Sequence, residues 1–461
     1  MTSDQPNDPA APLELLTPVQ GGQMLARQSG QVIFVHGGIP GELVTVADIV
    51  AKRGYREAAA SSVTQAAASR TTPPCPFYGE NGQYRGSIMD PVRKPGLVCG
   101  GCQYQHIEYQ AQLAIKQQIV GEQLRRVGKI VDAAVEPAVP SPSPYAYRNR
   151  AGWLVTEGGD LAYHEARSHR LVAIDDCLLL TPGLARVLRD LRAATTQLQL
   201  AGAVRGIEAR SLSTGDAEAA SLALAFDSSI SGREAVAIAE ALLDHCPTVH
   251  SVAGSDADRL SEPAHLAGAP RIAAAFLDAR FSLSPTTFFQ VNLPVAEAMV
   301  QHVLQQLGPM AGKLVLDVYC GAGTFTLPLS RQANAVVGLE ADAMAVADAR
   351  GTFARYGVDN VTFLEGDAGA SLKSLMSGTV ACTVIDPPRT GCSPVVLHQL
   401  ARIKAPRLVY VSCDPATLAR DLRVLLDHGY RIEQLQPFDL FPQTAHIECV
   451  ASLKLPKKYQ A

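Results

Sequence analysis

No stretch of this 461-residue chain stays apolar over the roughly 20 residues that a membrane-crossing helix needs. The first residues, Met1 to Pro12, lack the basic and apolar regions of a secretion signal; they are rich in Asp, Pro and Asn and are expected to be disordered. An excess of one charge is also missing. A net charge of −4 gives no overall attraction for nucleic acid, so any basic footprint has to be local. Without a secretion signal, the 10 cysteines are expected as thiols and metal ligands in a reducing cytosol rather than as disulfides. What is present is ample core material, 47% hydrophobic against 18% charged, in a chain too long for one typical domain.

From about residue 286 the pattern is repeated strand and helix. Apolar strands are predicted at Leu314 to Val318, Ala335 to Leu339, Val361 to Leu364, Thr379 to Ile385 and Leu408 to Val411, with helical stretches between them. This predicts an α/β, doubly wound, mostly parallel sheet. Ligands of such sheets gather at the carboxyl ends of the strands. The first strand runs into Asp317-Val318-Tyr319-Cys320-Gly321-Ala322-Gly323-Thr324-Phe325, whose glycines let backbone approach a ligand. A dinucleotide fingerprint wants a third glycine where this chain has Thr326, which disfavours NAD. Glu340, 19 positions after Gly321, ends the second strand, where a carboxylate can accept from ribose hydroxyls. Asp367 follows the third strand, placed to meet an adenine edge. Together these features fit S-adenosylmethionine.

The fourth strand ends in Asp386-Pro387-Pro388-Arg389, a turn stiffened by proline. The fifth ends in Ser412-Cys413-Asp414-Pro415, ahead of a helix with Leu418, Leu422 and Leu425 on one face. Cys413 therefore sits between strand and helix. The positive end of that helix is expected to ease loss of the thiol proton, making Cys413 a candidate nucleophile; an inert buried thiol is the alternative. Glu448, in His446-Ile447-Glu448-Cys449-Val450, is a carboxylate at the edge of a late apolar run and a candidate general base.

Earlier in the chain, Val32 to Val35 and Leu43 to Val46 read as short strands with a turn at Gly37 to Gly41, consistent with a small barrel of the oligonucleotide-binding type. Lys52, Arg53, Tyr55 and Arg56 form a small basic-aromatic cluster. Cys99-Gly100-Gly101-Cys102, with Cys75 before it and Cys177 after it, can supply four thiolates to zinc or to an iron–sulfur cluster. The 23 residues between Cys75 and Cys99 read as an inserted loop. A helix is predicted over residues 109–127, with Leu113, Val120, Leu124 and Val127 on one side. A proline-rich linker follows it. Arg148, Arg150, Arg167, His169 and Arg170 are the best candidates for contacting phosphates. Residues 200–285 alternate strands (Ser221 to Phe226, Val249 to Ala253) with helices and carry no motif.

As a set, Phe288-Phe289-Gln290-Val291-Asn292, the Asp317–Phe325 loop, Asp386-Pro387-Pro388-Arg389, the Cys413 stretch and His446-Ile447-Glu448 resemble the RNA 5-methyluridine methyltransferases, in particular the iron–sulfur branch acting on 23S ribosomal RNA. The resemblance implies a disordered start (1–12), a TRAM-like β-barrel (13–72), a central α+β iron–sulfur and RNA-binding domain (73–285) and a Rossmann-like methyltransferase domain (286–461). The helix at 109–127 would pack on the last of these. Cofactor contacts carry over to Gln290, Tyr319, Gly321, Thr324, Glu340, Asp367 and Asp386. Cys413 carries over as nucleophile and Glu448 as base, and Cys75, Cys99, Cys102 and Cys177 as ligands of a [4Fe–4S] cluster. The implied enzyme is a cytoplasmic monomer acting on RNA, with no membrane partner. Two features depart from the family pattern: the insert after Cys75, and Thr324 where relatives often carry another polar residue. The same reaction on transfer RNA, an amino-group methyltransferase with Cys413 merely structural, and a non-catalytic iron–sulfur RNA-binding protein are the rival readings.

Overall fold

The computed structural model describes residues 12–79, 98–213, 218–256 and 263–460. Residues 1–11 of the expected disordered start and most of the insert after Cys75 lie outside the described residues.

The N-terminal module is a six-stranded sheet, β1 (Leu13–Glu14), β2 (Thr17–Pro18), β3 (Gln23–Gln28), β4 (Gln31–His36), β5 (Leu43–Lys52) and β6 (Tyr55–Gln65), in the order β1-β5-β6-β4-β3-β2. Gly37–Gly41 does not close a hairpin as its glycines suggested, because β6 lies between β4 and β5. Glu42, fully buried, fastens this crossover. It accepts from the N–H groups of Ile39 (2.9 Å) and Ala67 (3.1 Å) and from Arg70 Nε (2.5 Å) and Nη2 (2.7 Å). The basic-aromatic cluster occupies the β5–β6 hairpin tip, where Lys52 and Arg53 are exposed and Tyr55 packs edge-on against Phe34.

Helix α1 (Tyr109–Arg126) buries Leu113, Ile115, Ile119, Val120 and Leu124. Val127, expected on the same face, is the exposed C-cap. The central sheet has seven strands and two helices: β7 (Arg150–Val155), β8 (Leu161–His164), β9 (Leu171–Ala173), α2 (Pro182–Gln197), β10 (Val204–Ser213), β11 (Glu218–Phe226), α3 (Gly232–His245), β12 (Val249–Asp256) and β13 (Ala264–Gly268). Its core combines Trp153, Ile207, Leu222 and Leu224 of the strands with Leu184, Leu188, Leu191 and Leu242 of α2 and α3.

A hairpin, β14 (Ile272–Phe276) and β15 (Ala279–Leu283), precedes α4 (Leu293–Leu307). The last sheet follows: β16 (Leu314–Val318), α5 (Thr326–Ser330), β17 (Ala335–Glu340), α6 (Ala343–Arg355), β18 (Val361–Glu365), α7 (Ala368–Lys373), β19 (Val380–Ile385), α8 (Pro394–Ile403), β20 (Arg407–Ser412), α9 (Pro415–Asp427), β21 (Arg431–Phe438) and β22 (Glu448–Lys454). The strand order is β18-β17-β16-β19-β20-β22-β21, with the first five parallel and β22 antiparallel to both neighbours. The strands read as continuous apolar runs because helices cover both faces of a parallel sheet. The boundary expected at 286 falls after the β14–β15 hairpin, whose Phe276 and Phe281 pack with Phe289 and with α4 in the core of this sheet. On the opposite face, α1 shares one core with Leu418, Leu422 and Leu425 of α9 and with the N-terminal sheet. Among the described residues no helix is long and apolar enough to cross a membrane.

Candidate active site and cysteine cavity

Parallel connectivity brings the carboxyl ends of β16, β17, β19 and β20 to one edge, and with them Tyr319, Glu340, Asp386 and Cys413. Tyr319 (φ +65°), Gly321 (φ +54°) and Gly323 (φ +90°) turn the loop after β16. A Cβ on Gly323 would lie 2.7 Å from the Phe353 ring of α6, so this close helix–loop packing requires glycine.

Asp317, at the end of β16, is fully buried and accepts from Thr326 Oγ1 at 2.5 Å. Thr326, the residue that excludes a third glycine, thus supplies a donor to a buried carboxyl. The other carboxyl oxygen, Oδ1, has no hydrogen-bond partner among the described residues. Burial pushes Asp317 up to about 7, with Asp386 and Glu340 adding to the rise. Asp386 is likewise pushed up to about 7, by burial and then by Glu340. Three acidic side chains therefore bear on one edge, and their mutual repulsion would be relieved by a ligand carrying positive charge.

Glu340 is already engaged. Oε2 accepts from the Gly321 N–H (2.9 Å), and Oε1 from those of Ala341 (2.7 Å) and Asp342 (2.9 Å). Its expected ribose contact would use remaining acceptor capacity. Asp367 is exposed and caps α7 through the Ala370 N–H. Thr324 is half-buried in the loop. Gln290 is buried, and its carbonyl accepts from Asn149 Nδ2 at 3.0 Å while Asn149 N–H donates to the carbonyl of Val291. Asn149 was not singled out in the sequence. It lies between two flagged arginines, but only the tertiary structure sets it beside Gln290.

Cys413 lies between β20 and α9, as expected. Asp414 caps α9, with Oδ1 accepting from the Thr417 N–H at 2.8 Å and Oδ2 from Gln20 Nε2 at 2.5 Å. Because β22 runs antiparallel to β20 and begins where β20 ends, with Ser412 opposite Cys449, Glu448 comes beside Cys413. The thiol is pushed up to about 12, first by burial, then by the charges of Glu448 and Asp386, with Arg389 opposing. The easing of deprotonation expected from the helix end is opposed here first by burial and then by two nearby carboxyls. Glu448 is held well above the usual carboxylate range by burial and by Asp386, against the pull of Arg389. Gln20, Gly21, Gln103, Arg389, Cys413, Asp414, Pro415, Ala445, His446 and Ile447 line the pocket over the thiol.

Cys75, Cys99, Cys102 and Cys177 line one cavity of about 370 Å³, together with Arg148, Tyr163, Thr444 and His446. The loop is shaped for close approach, since a Cβ on Gly100 would lie 3.1 Å from Ala166 Cα. The thiols of Cys99 and Cys102 are raised first by burial and then by nearby cysteines, Cys177 and Cys75 acting on both, Cys99 to about 12. Among the described residues no three His, Cys, Asp or Glu side chains are grouped to hold a single metal ion. Of the candidate phosphate contacts, Arg150 pairs with Glu208 (2.5 Å) and Arg170 with Glu165 (2.7 and 2.8 Å), Arg148 faces the cysteine cavity, and His169 packs edge-on against His164. Arg167 lines a cleft with His36, Gly100, Gly101 and Cys102.

The tRNA (uracil-5-)-methyltransferase family model matches residues 108–455. An RNA methyltransferase of Gloeobacter violaceus is 34% identical, with 94% of each chain covered. The 23S rRNA (uracil(1939)-C(5))-methyltransferase of Pseudomonas putida is 34% identical over 93% of this chain and 90% of its own. The fold resembles the crystal structure of the Pyrococcus abyssi tRNA (uracil-54, C5)-methyltransferase with S-adenosyl-L-homocysteine, at a TM-score of 0.72 and 23% identity over 96% of this chain and 99% of that one. A parallel sheet with glycine loop and acidic edge, facing a thiol and a buried carboxyl, defines an enzyme of the methyltransferase class. The chain belongs to the tRNA (uracil-5-)-methyltransferase family.

Proposed function

We propose that this enzyme transfers a methyl group from S-adenosylmethionine to C5 of a uridine in 23S ribosomal RNA, through a covalent bond between Cys413 and C6 of the uracil. The observation that carries this reading is the joining of Cys413, Glu448 and Asp386 at the ends of β20, β22 and β19. The rRNA target is supported by relatives named for that substrate.

Uracil C5 is a poor nucleophile. Cys413 gives its proton to solvent and its sulfur adds to C6, which moves the C5–C6 electron pair through C5 to the C4 oxygen. C5 then attacks the methyl carbon. Glu448, as carboxylate, takes the proton from C5 and the C6–S bond breaks; Glu448 passes its proton on to solvent and the released thiolate takes one up to return to the resting thiol. Bound S-adenosylmethionine supplies the electrophilic methyl on a sulfonium. The chain's residues fit it, since the Oδ1 of buried Asp317, without a partner among the described residues, and the acidic neighbours Asp386 and Glu340 favour a cation. Gln290, Tyr319, Gly321, Thr324, Glu340, Asp367 and Asp386 would hold it. The target base must be turned out of its stack to reach the thiol.

A [4Fe–4S] cluster is the reading offered for the cavity that these four cysteines line. Such a cluster, held by Cys75, Cys99, Cys102 and Cys177, would fix the loops of the central RNA-binding domain; methyl transfer needs no redox step. The six-stranded N-terminal sheet is read as the TRAM-like module.

RNA carrying 5-fluorouridine tests the mechanism, because fluorine cannot leave as a proton. A covalent adduct is expected with wild type and none with Cys413→Ala; an adduct with Cys413→Ala, or none with wild type, would overturn the assignment. Mapping 5-methyluridine in 23S and transfer RNA from cells with and without the gene decides the target. Iron and sulfide analysis of anaerobically purified protein decides the cluster.

A further inference from the structure

The segment Gln443–Ile447 is the wall between two cavities. Thr444 and His446 line the cysteine cavity, while Ala445, His446 and Ile447 line the pocket over Cys413. Glu448 follows directly. What holds this wall is the residue after the Cys-x-x-Cys loop. Gln103 Nε2 donates to the carbonyl of Gly100 at 2.9 Å, and its Oε1 accepts from the Ala445 N–H at 3.2 Å. The amide can face only one way, since Gly100 offers an acceptor and Ala445 a donor. Gln103 and Tyr104 N–H groups both donate to the carbonyl of Gln443 at 3.0 Å. Gln443 itself is buried at a positive φ of 68°, a conformation a non-glycine residue keeps only when its surroundings enforce it. It is clamped further by Gln112, which donates to Gln443 Oε1 at 3.0 Å and accepts from its N–H at 3.1 Å. The N-terminal sheet closes the junction, because a Cβ on Gly22 would lie 3.0 Å from Gln103 Cβ and 3.2 Å from Ala445 Cβ.

We infer that Gln103 is a positioning residue for the general base: it ties the cysteine loop to the strand-entry segment that aims Glu448 at the uracil C5. The inference rests on the role proposed for Glu448. The consequence is specific to one step. The base acts after methyl transfer, so misplacing it slows elimination and leaves the methylated RNA attached to Cys413. Loss of fold or of RNA binding would produce no such species.

The test uses the full-length, iron-loaded protein and RNA containing ordinary uridine. Gln103→Met keeps length and removes both amide contacts. Expected are a fall in kcat of about tenfold, the scale of the one side-chain hydrogen bond that reaches the wall, from the Ala445 N–H, an unchanged KM for RNA, wild-type iron content, and a protein–RNA adduct visible in denaturing gels during turnover. Gln103→Glu keeps the acceptor for the Ala445 N–H and is expected to stay within about threefold of wild type with little adduct. Wild-type turnover by Gln103→Met, a change confined to KM, slow turnover without adduct, loss of iron, or equal adduct in the Glu variant would each overturn the inference. Glu448→Gln run in parallel separates the two levels. Adduct with Glu448→Gln but not with Gln103→Met sinks only the positioning role, whereas adduct with neither sinks the base assignment itself.

Discussion

Lys116 of α1 places Nζ 2.6 Å from Oδ1 of Asp439, with both side chains buried and 323 residues apart in the chain. Lys116 also donates to the carbonyl of Phe441 at 3.0 Å, so α1 is tied to the segment that leads to Glu448. Burial pulls the Lys116 ammonium down and Asp439 pulls it back up. Removing one partner strands a buried charge, which costs about 3–5 kcal/mol. Lys116→Met is expected to lower the unfolding free energy from urea titration by that amount, and Lys116→Met with Asp439→Leu to recover most of it. Equal loss in the single and double variants would show that the pair is not coupled.

The resting thiol is held protonated. With Cys413 raised to about 12 by burial and by Glu448 and Asp386, the reactive thiolate fraction grows with pH throughout the accessible range. Alkylation of Cys413 by iodoacetamide in the RNA-free enzyme is expected to rise by about tenfold per pH unit from 7 to 10, with no plateau. Site-resolved mass spectrometry of the modified peptide checks this; levelling near pH 8 would mean an ordinary thiol.

Asp317 gives a stability signature with a definite sign. Its folded value, about 7, lies above the unfolded carboxylate value of 3.8. Between those limits the folded protein binds more protons, so its contribution to stability is complete at low pH and is lost as pH rises through about 7. Asp317→Asn is expected to flatten the fall in stability over that window, by at most about 1.4 kcal/mol per pH unit. Chemical denaturation of both proteins at several pH values measures the difference; parallel profiles would contradict the buried, raised carboxyl.

Gly323 combines a positive φ of 90° with the Phe353 ring 2.7 Å from where a Cβ would stand. Gly323→Ala is expected to displace the loop and weaken S-adenosylmethionine binding by more than about tenfold, the scale of one to two kcal/mol. Calorimetric titration reads it directly, and unchanged affinity would show that the loop does not shape the cofactor site.

The parallel strands were legible because each is an apolar run covered on both faces, and Cys413 was legible because a strand visibly hands over to a capped helix at Asp414. Other features were beyond reading. Glycines at 37–41 suggested a hairpin, but local turn chemistry does not say that β6 will insert between the strands it joins. The β14–β15 hairpin has no motif to declare its allegiance; Phe276 and Phe281 declare it only by packing against Phe289. The surroundings that raise the Cys413 thiol are not legible in sequence: a helix end is visible there, whereas burial and the Glu448 and Asp386 neighbourhood are properties of assembled strands.

The order of residues determined which groups exist for the chemistry: a thiol at a strand end, carboxyls at the ends of other strands, and four cysteines able to share a site. Periodicity and short motifs act over a few residues, and that is the range over which sequence speaks clearly. Tertiary structure decided who meets whom. The antiparallel return of β22 set Glu448 beside Cys413, and Gln103 came to rest between the cysteine loop and Ala445. It also decided the protonation of each group, because desolvation and charge repulsion arise only when distant segments pack together.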